Sequence, residues 1–325
     1  MVSADRSTIA LVTGDTVEIW STGARSPRAT VTTNVTLPDQ IALSRDGRLL
    51  AVLSGFNEIE IWDVARNTRL GTIATPLDRE QRSGALQALA FSPDSRSLAV
   101  QTVIPNGRNT LAFWDLTRMR RIREISADLG YDPDGAQVLF APDGRTVTAA
   151  PNFGRVGFPS GRVITKGVPH LQVDTVGDDG RTLYSFPNGY RPFLRLRNAR
   201  SLRPEANDLR TGPVAGWDGQ TSAVSPDGRL FATLHETGIV YQLKIWDIRA
   251  RTQLGVPLTG LRLDAVAVTF TPEGSALVAI DKEGRVFTYT VAPLRLMRAL
   301  CAESGGLTRT EWKRHIPDAP YRRTC

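Results

Sequence analysis

Ser225-Pro226-Asp227-Gly228-Arg229, the run Leu230-Phe231-Ala232-Thr233-Leu234 behind it and Ile245-Trp246-Asp247 beyond decide the fold. The five opening residues have the chemistry of a tight turn: proline presets φ, aspartate bonds its own backbone and glycine accepts positive φ. A β-rich run follows, and a second run closes on Trp-Asp. The same unit recurs along the chain. Its turn reappears as Ser44-Arg45-Asp46-Gly47-Arg48, Ser92-Pro93-Asp94-Ser95-Arg96 and Ala141-Pro142-Asp143-Gly144-Arg145. Further copies are Gly177-Asp178-Asp179-Gly180-Arg181, Thr271-Pro272-Glu273-Gly274-Ser275 and a weaker one at Ser3-Ala4-Asp5-Arg6-Ser7. The closing runs are Ile19-Trp20, Ile61-Trp62-Asp63, Phe113-Trp114-Asp115 and Ile245-Trp246-Asp247, with Phe158, Leu196 and Tyr289 as weaker endpoints. Seven turns pair with seven endpoints, 14 to 19 residues apart. From Arg6 to Gly274 the mean period is about 45 residues, the length of one four-stranded propeller blade.

Turn, strand and Trp-Asp closing strand at this period resemble WD40 repeats, over roughly residues 1–292. The resemblance implies an all-β, seven-bladed β-propeller, each blade a four-stranded antiparallel sheet packed face to face against its neighbours. It gives Trp20, Trp62, Trp114 and Trp246, with Asp63, Asp115 and Asp247, a structural role between blades. WD40 repeats typically place a Gly-His pair before the first strand, and its histidine anchors a hydrogen-bond network with the tryptophan. No Gly-His pair occurs here and the histidines are His170, His235 and His315, so that network is expected to be absent.

A chain of 325 residues exceeds one ordinary compact domain, but repeat architectures lengthen by adding units. Its composition, 41% hydrophobic and 22% charged, is that of a globular protein and argues against a disordered or disulfide-scaffold class. No stretch reaches the ~18 apolar residues of a spanning helix, so membrane insertion is not expected. Asp5, Arg6, Asp15 and Glu18 interrupt any leader-like apolar run, which points to a cytoplasmic location. The net charge is +7, and 36 of the 40 basic residues are arginines. They are scattered, without the basic stripe and interleaved aromatics of a nucleic-acid footprint, so the expectation is an arginine-rich surface, not nucleic-acid binding.

The ends break the pattern. Only Met1 and Val2 precede the first turn, so the innermost strand of the first blade is lacking. The last blade shows three strands, 263–270, 276–280 and 286–290, without a clear fourth. The expectation is that the chain is the C-terminal part of a longer polypeptide or that its start is set too late; the alternative is a natural propeller closed by its C-terminal tail. From Pro293 a helical tail of residues 293–325 takes over, with a short helix ended by Gly305-Gly306. A capping-box pattern, Thr308-Arg309-Thr310-Glu311, opens a second helix. Cys301, Leu307-Thr308, Glu311-Trp312, Tyr321 and Cys325 resemble a tail of bacterial WD40 proteins. In that family the propeller is often fused to a STAND-type NTPase, kinase or peptidase domain. Cys301 and Cys325 lie 24 residues apart. A disulfide there would contribute roughly 3–4 kcal/mol by loop closure, whereas a cytoplasmic setting keeps thiols reduced; the sequence leaves both states open.

Chemical signatures are missing. There is no Gly-x-Ser-x-Gly elbow and no phosphate-binding Gly-x-x-x-x-Gly-Lys loop. His235-Glu236 lacks the second histidine of a zinc-protease helix, and Tyr131–Gly135 lacks the remaining ligands of a calcium loop. No cofactor and no metal are therefore expected, and the chain reads as a non-catalytic protein-interaction scaffold or sensor. Its partner would be another protein or a fused upstream domain. The alternative is a propeller enzyme or small-ligand binder with a site at the channel mouth. The face opposite the repeated turns collects large side chains that no strand pattern requires: Phe56, Tyr131, Phe153, Tyr190 and Trp217, with Arg79, Arg82, Arg108, Arg155 and Arg191. Aromatics and arginines are enriched in interaction hot spots, so this loop face is the expected protein-binding surface.

Overall fold

The computed structural model describes residues 1–33, 40–54, 58–75, 86–104, 109–127, 136–187, 193–205, 207–212, 221–237, 240–261, 265–281, 283–323 and 325. These form seven antiparallel sheets in chain order. Blade 1 comprises Thr8–Thr13, Thr16–Ser21 and Ala29–Thr32. Blade 2 comprises Ile41–Leu43, Leu49–Ser54, Glu58–Asp63 and Thr68–Ala74. Blade 3 runs through Leu86–Phe91, Ser97–Val103, Asn109–Asp115 and Arg120–Ala127, and blade 4 through Gln137–Phe140, Thr146–Ala150, Gly154–Gly157 and Val163–Thr165. Blade 5 has Leu171–Val176, Thr182–Pro187, Phe193–Asn198 and Leu209–Arg210. Blade 6 has Ser222–Val224, Leu230–Thr237, Val240–Asp247 and Thr252–Leu261. Blade 7 holds Ala265–Phe270, Ala276–Asp281 and Val286–Thr290, the three strands expected. Met1 and Val2 supply a stub in place of blade 1's inner strand: Val2 bridges Ile9, and Met1 exchanges hydrogen bonds with Ala10.

The repeated turn is built by its serine. In blade 2 the Ser44 hydroxyl donates to Asp46 Oδ1 at 2.8 Å and accepts from the Leu49 amide at 2.9 Å. Blades 3 and 6 repeat this with Ser92 and Ser225. Burial raises the Asp94 and Asp227 carboxyls, but the serine hydroxyls and the Arg96 and Arg229 amides outweigh it and hold both below the usual carboxylate range. The fourth turn position is left-handed in all seven copies, from Arg6 (φ 63°) to Gly274 (φ 69°).

Both faces of each central strand are buried, as Ser97–Val103 and Ala276–Asp281 show along their whole length. Seven apolar clusters result, one for every pair of neighbouring blades. Trp62 seals blade 1 to blade 2, Trp114 blade 2 to blade 3, and Trp246 blade 5 to blade 6. Trp20 joins Ile9 and Leu11 of blade 1 to Ala267, Val278 and Ile280 of blade 7, so the ring is closed.

Three expectations need correction. The hydrogen-bond network on tryptophan exists in another form. Trp246 Nε1 donates to Thr233 Oγ1 at 3.0 Å, and Thr233 Oγ1 meets His235 Nε2 at 2.8 Å. Threonine and histidine come from the strand beside the tryptophan, which a search for Gly-His overlooks. Trp20 and Trp62 bond instead to carboxylates two residues earlier, Glu18 at 3.1 Å and Glu60 at 3.0 Å. The closing residues of blades 4 and 5 are also displaced. Thr146 pairs Gly157 and Thr182 pairs Asn198, as Leu49 pairs Asp63. The tryptophan place thus falls to Val156 and Arg197, not to Phe158 and Leu196. Phe158 instead packs edge-on against Phe113 and Phe140, centroids 5.2 Å apart.

After Thr290 the chain forms helices α1, Pro293–Ser304, and α2, Arg309–His315. The capping box is present: Glu311 N donates to Thr308 Oγ1, and Thr308 N donates to Glu311 Oε2. Trp312 stacks edge-on with Tyr321, and Cys301 is bonded to Cys325.

Candidate functional site

The inner strands surround a channel with a cavity of about 390 Å³, lined by residues from all seven blades. That volume lies within the range of small-molecule sites. Its wall mixes apolar and polar surface, with Leu139, Phe140, Val176 and Ala223 partly exposed and Thr175 beside them. Turn residues rim one end: Arg45 of blade 2, Pro93 of blade 3, Pro142 of blade 4 and Asp178 of blade 5.

One ion pair spans this mouth. Arg6 Nη1 and Nη2 lie 2.8 and 3.1 Å from Asp178 Oδ2 and Oδ1. Blades 1 and 5 are as far apart as a ring of seven allows. The two residues are also the two departures from the turn pattern that meet here. Arg6 occupies the left-handed position where five other copies have glycine, and Asp178 stands where Pro93 and Pro142 stand in the preceding blades. The Arg6 side chain is 17% exposed and that of Asp178 45%. The parallel two-bond geometry is the strong form of arginine–carboxylate recognition.

The same end of the ring carries arginines in equivalent places. Arg48, Arg96, Arg145, Arg181 and Arg229 end five of the repeated turns and are exposed. Arg66 and Arg118 follow the Trp-Asp pairs and also point outward, bonded to Asp63 at 2.6 Å and Asp115 at 3.1 Å. The spacing of the repeat already contained this ring, since arginine closes the turn five times, but in the linear sequence it reads as scatter.

Of the loop-face residues, Phe56, Arg79, Arg82, Arg108, Tyr131, Tyr190, Arg191 and Trp217 lie outside the described residues. Of the two that are described, Phe153 is enclosed and Arg155 is partly exposed. Phe153 is buried in the cluster between blades 3 and 4, where its ring fills the space between sheets. Arg155 sits within a strand and turns its Nε to Thr146 Oγ1 at 3.3 Å. Burial, then the nearby Arg200 charge, lowers its pKa. Among the described residues no three His, Cys, Asp or Glu side chains converge as a metal site. His235 belongs to the interior of blade 6, bound to Thr233. Among the described residues no helix is long and apolar enough to cross a membrane.

No protein-family profile and no curated protein matches this chain. Among solved structures it is similar to hydrazine synthase of Kuenenia stuttgartiensis, at 18% identity and a TM-score of 0.61 over 90% of this chain and 94% of that one. It is also similar to the Cps50 (Swd1) β-propeller domain of Myceliophteria thermophila, at 15% identity and a TM-score of 0.62 over 90% of this chain and 96% of that one. At these identities the likeness speaks to architecture. This chain is a seven-bladed β-propeller.

Proposed function

We propose that this propeller is a non-catalytic protein-interaction scaffold or sensor, acting as one domain of a longer signalling protein. The observation that carries the reading is the turn face. A frame sealed by seven apolar interfaces holds exposed arginines at five equivalent positions, Arg48, Arg96, Arg145, Arg181 and Arg229. A rigid scaffold presenting side chains from its connections is the usual arrangement of a recognition surface, and arginine is among the residues that anchor such surfaces. The fit is to a protein partner with acidic groups.

The test compares the two faces. Wild-type protein, the turn-face variant Arg96→Glu/Arg145→Glu/Arg181→Glu and the loop-face variant Tyr190→Ala/Trp217→Ala are used for cross-linked affinity capture. Affinity for the captured partner is then measured with purified components. A tenfold or greater loss in the first variant places the partner on the turn face, and in the second on the loop face. Undiminished binding by both well-folded variants defeats the proposal.

A further inference from the structure

We propose that the channel binds a small apolar molecule ending in a carboxylate, with Arg6 as its anchor and Asp178 as an internal substitute for the ligand's acid group. This goes beyond the interaction reading and does not depend on it.

Three observations converge. The cavity of about 390 Å³ has a mixed wall, whose apolar part, with Leu139, Val176 and Ala223, offers a seat for a hydrocarbon or aromatic body. At its mouth, which Arg45 also lines, the Arg6 guanidinium already holds a carboxylate through two nitrogens in the fork geometry. That guanidinium is placed there at a cost. Arg6 adopts φ 63°, a left-handed conformation that disfavours a side chain. Arginine at the glycine position of blade 1 and aspartate at the proline position of blade 5 meet here. They build one carboxylate site across the mouth.

The exposures set the roles. Arg6 is the more enclosed partner, fixed over the cavity, while Asp178 is the more exposed one on a surface turn. A ligand acid that displaces Asp178 keeps both hydrogen bonds to Arg6 and adds burial of its apolar body. Asp178 returns to water, where an ionised carboxylate is well solvated.

The experiment titrates the full 325-residue chain by calorimetry with octanoate, with 1-octanol as the apolar body lacking the charge, and with acetate as the charge lacking the body. Octanoate is expected to bind one per chain and at least tenfold more tightly than 1-octanol, with acetate silent. Asp178→Asn releases Arg6 and is expected to tighten octanoate by about tenfold, the scale of one charge-assisted contact. Arg6→Met is expected to abolish the preference for octanoate over 1-octanol. Equal binding of octanoate and 1-octanol, no binding of octanoate, or an Asp178→Asn variant with unchanged or weaker affinity would each overturn the proposal. Should Arg6→Met lose its fold by circular dichroism, the Asp178→Asn result decides alone.

Discussion

Gly284 of blade 7 lies directly beneath the indole of Trp20 in blade 1. A Cβ added there would stand 2.8 Å from Cζ2 and 3.1 Å from Cη2 of the ring, at a backbone φ of +74°. The closing interface of the ring is therefore tight enough to reject one methyl group. Gly284→Ala should destabilise the protein by about 1–3 kcal/mol, through overpacking added to left-handed strain. Gly14→Ala is the control, because Gly14 has φ +63° but open space around it, and it should cost only about 1 kcal/mol. Urea unfolding measures both. Equal losses would mean that Trp20 does not press on Gly284.

Trp62 fills the interface between blades 1 and 2 and donates to Glu60, which Arg69 also contacts at 3.1 Å. Trp62→Ala should cost about 3–5 kcal/mol, as for other buried aromatic truncations. A measured loss under about 1 kcal/mol would contradict its place between blades.

The Thr233 hydroxyl links Trp246 and His235, both buried. Thr233→Val keeps the shape but removes a partner from each, at an expected cost of about 1–3 kcal/mol. Thr233→Ser should recover at least half of that in the same melting experiment. If valine and serine behave alike, the hydroxyl contributes nothing.

Stability should depend on pH through the Met1 amine. Its enclosure lowers the pKa from the ordinary 8.0 to about 5. Between those values the unfolded chain binds the proton and the folded one does not, so stability rises with pH across this window. It is lost progressively as pH falls from 8 towards 5. For protein with a free amine at Met1, the melting temperature should drop by several degrees over that fall. Acetylating the amine should flatten the profile. A pH-independent melting temperature in the free-amine protein would show that the amine stays hydrated.

Reduction should act on the tail alone. The Cys301–Cys325 bond closes the segment that carries α2, a helix with no buried residue, and α1 is exposed along most of its length. A reductant should therefore speed proteolysis within residues 302–325 while the main melting transition moves by less than about 2 °C. A large shift of that transition would mean that the tail braces the propeller.

What could be read in the chain was whatever is local and repeated. The turn Ser225–Arg229 and the strand end Trp246-Asp247 lie within one blade, so their spacing reports the fold. The capping box at Thr308–Glu311 is equally short-range. Arg6 and Asp178 are 172 residues apart, and no pattern of period or propensity links them. Each was visible only as a flaw in its own turn. The closing positions of blades 4 and 5 were misplaced because Val156 and Arg197 carry no aromatic signal, and only ladder register reveals them. Phe153 looked available for binding because its size was legible and its burial was not.

The ring's last joint has a mechanical meaning. Among the described residues no hydrogen-bonded ladder contains strands from both the first and last blades. Among the described residues every sheet comes from one continuous stretch of chain, and side chains meeting around Trp20 join the first blade to the last. The molecule is in this sense a split washer. Its blades can form one after another without waiting for distant chain ends, which favours quick folding, and the slit is where it would spring. Amides of Thr8–Thr13 and Ala276–Asp281 should exchange with solvent before those of Ser97–Val103, in the middle of the band.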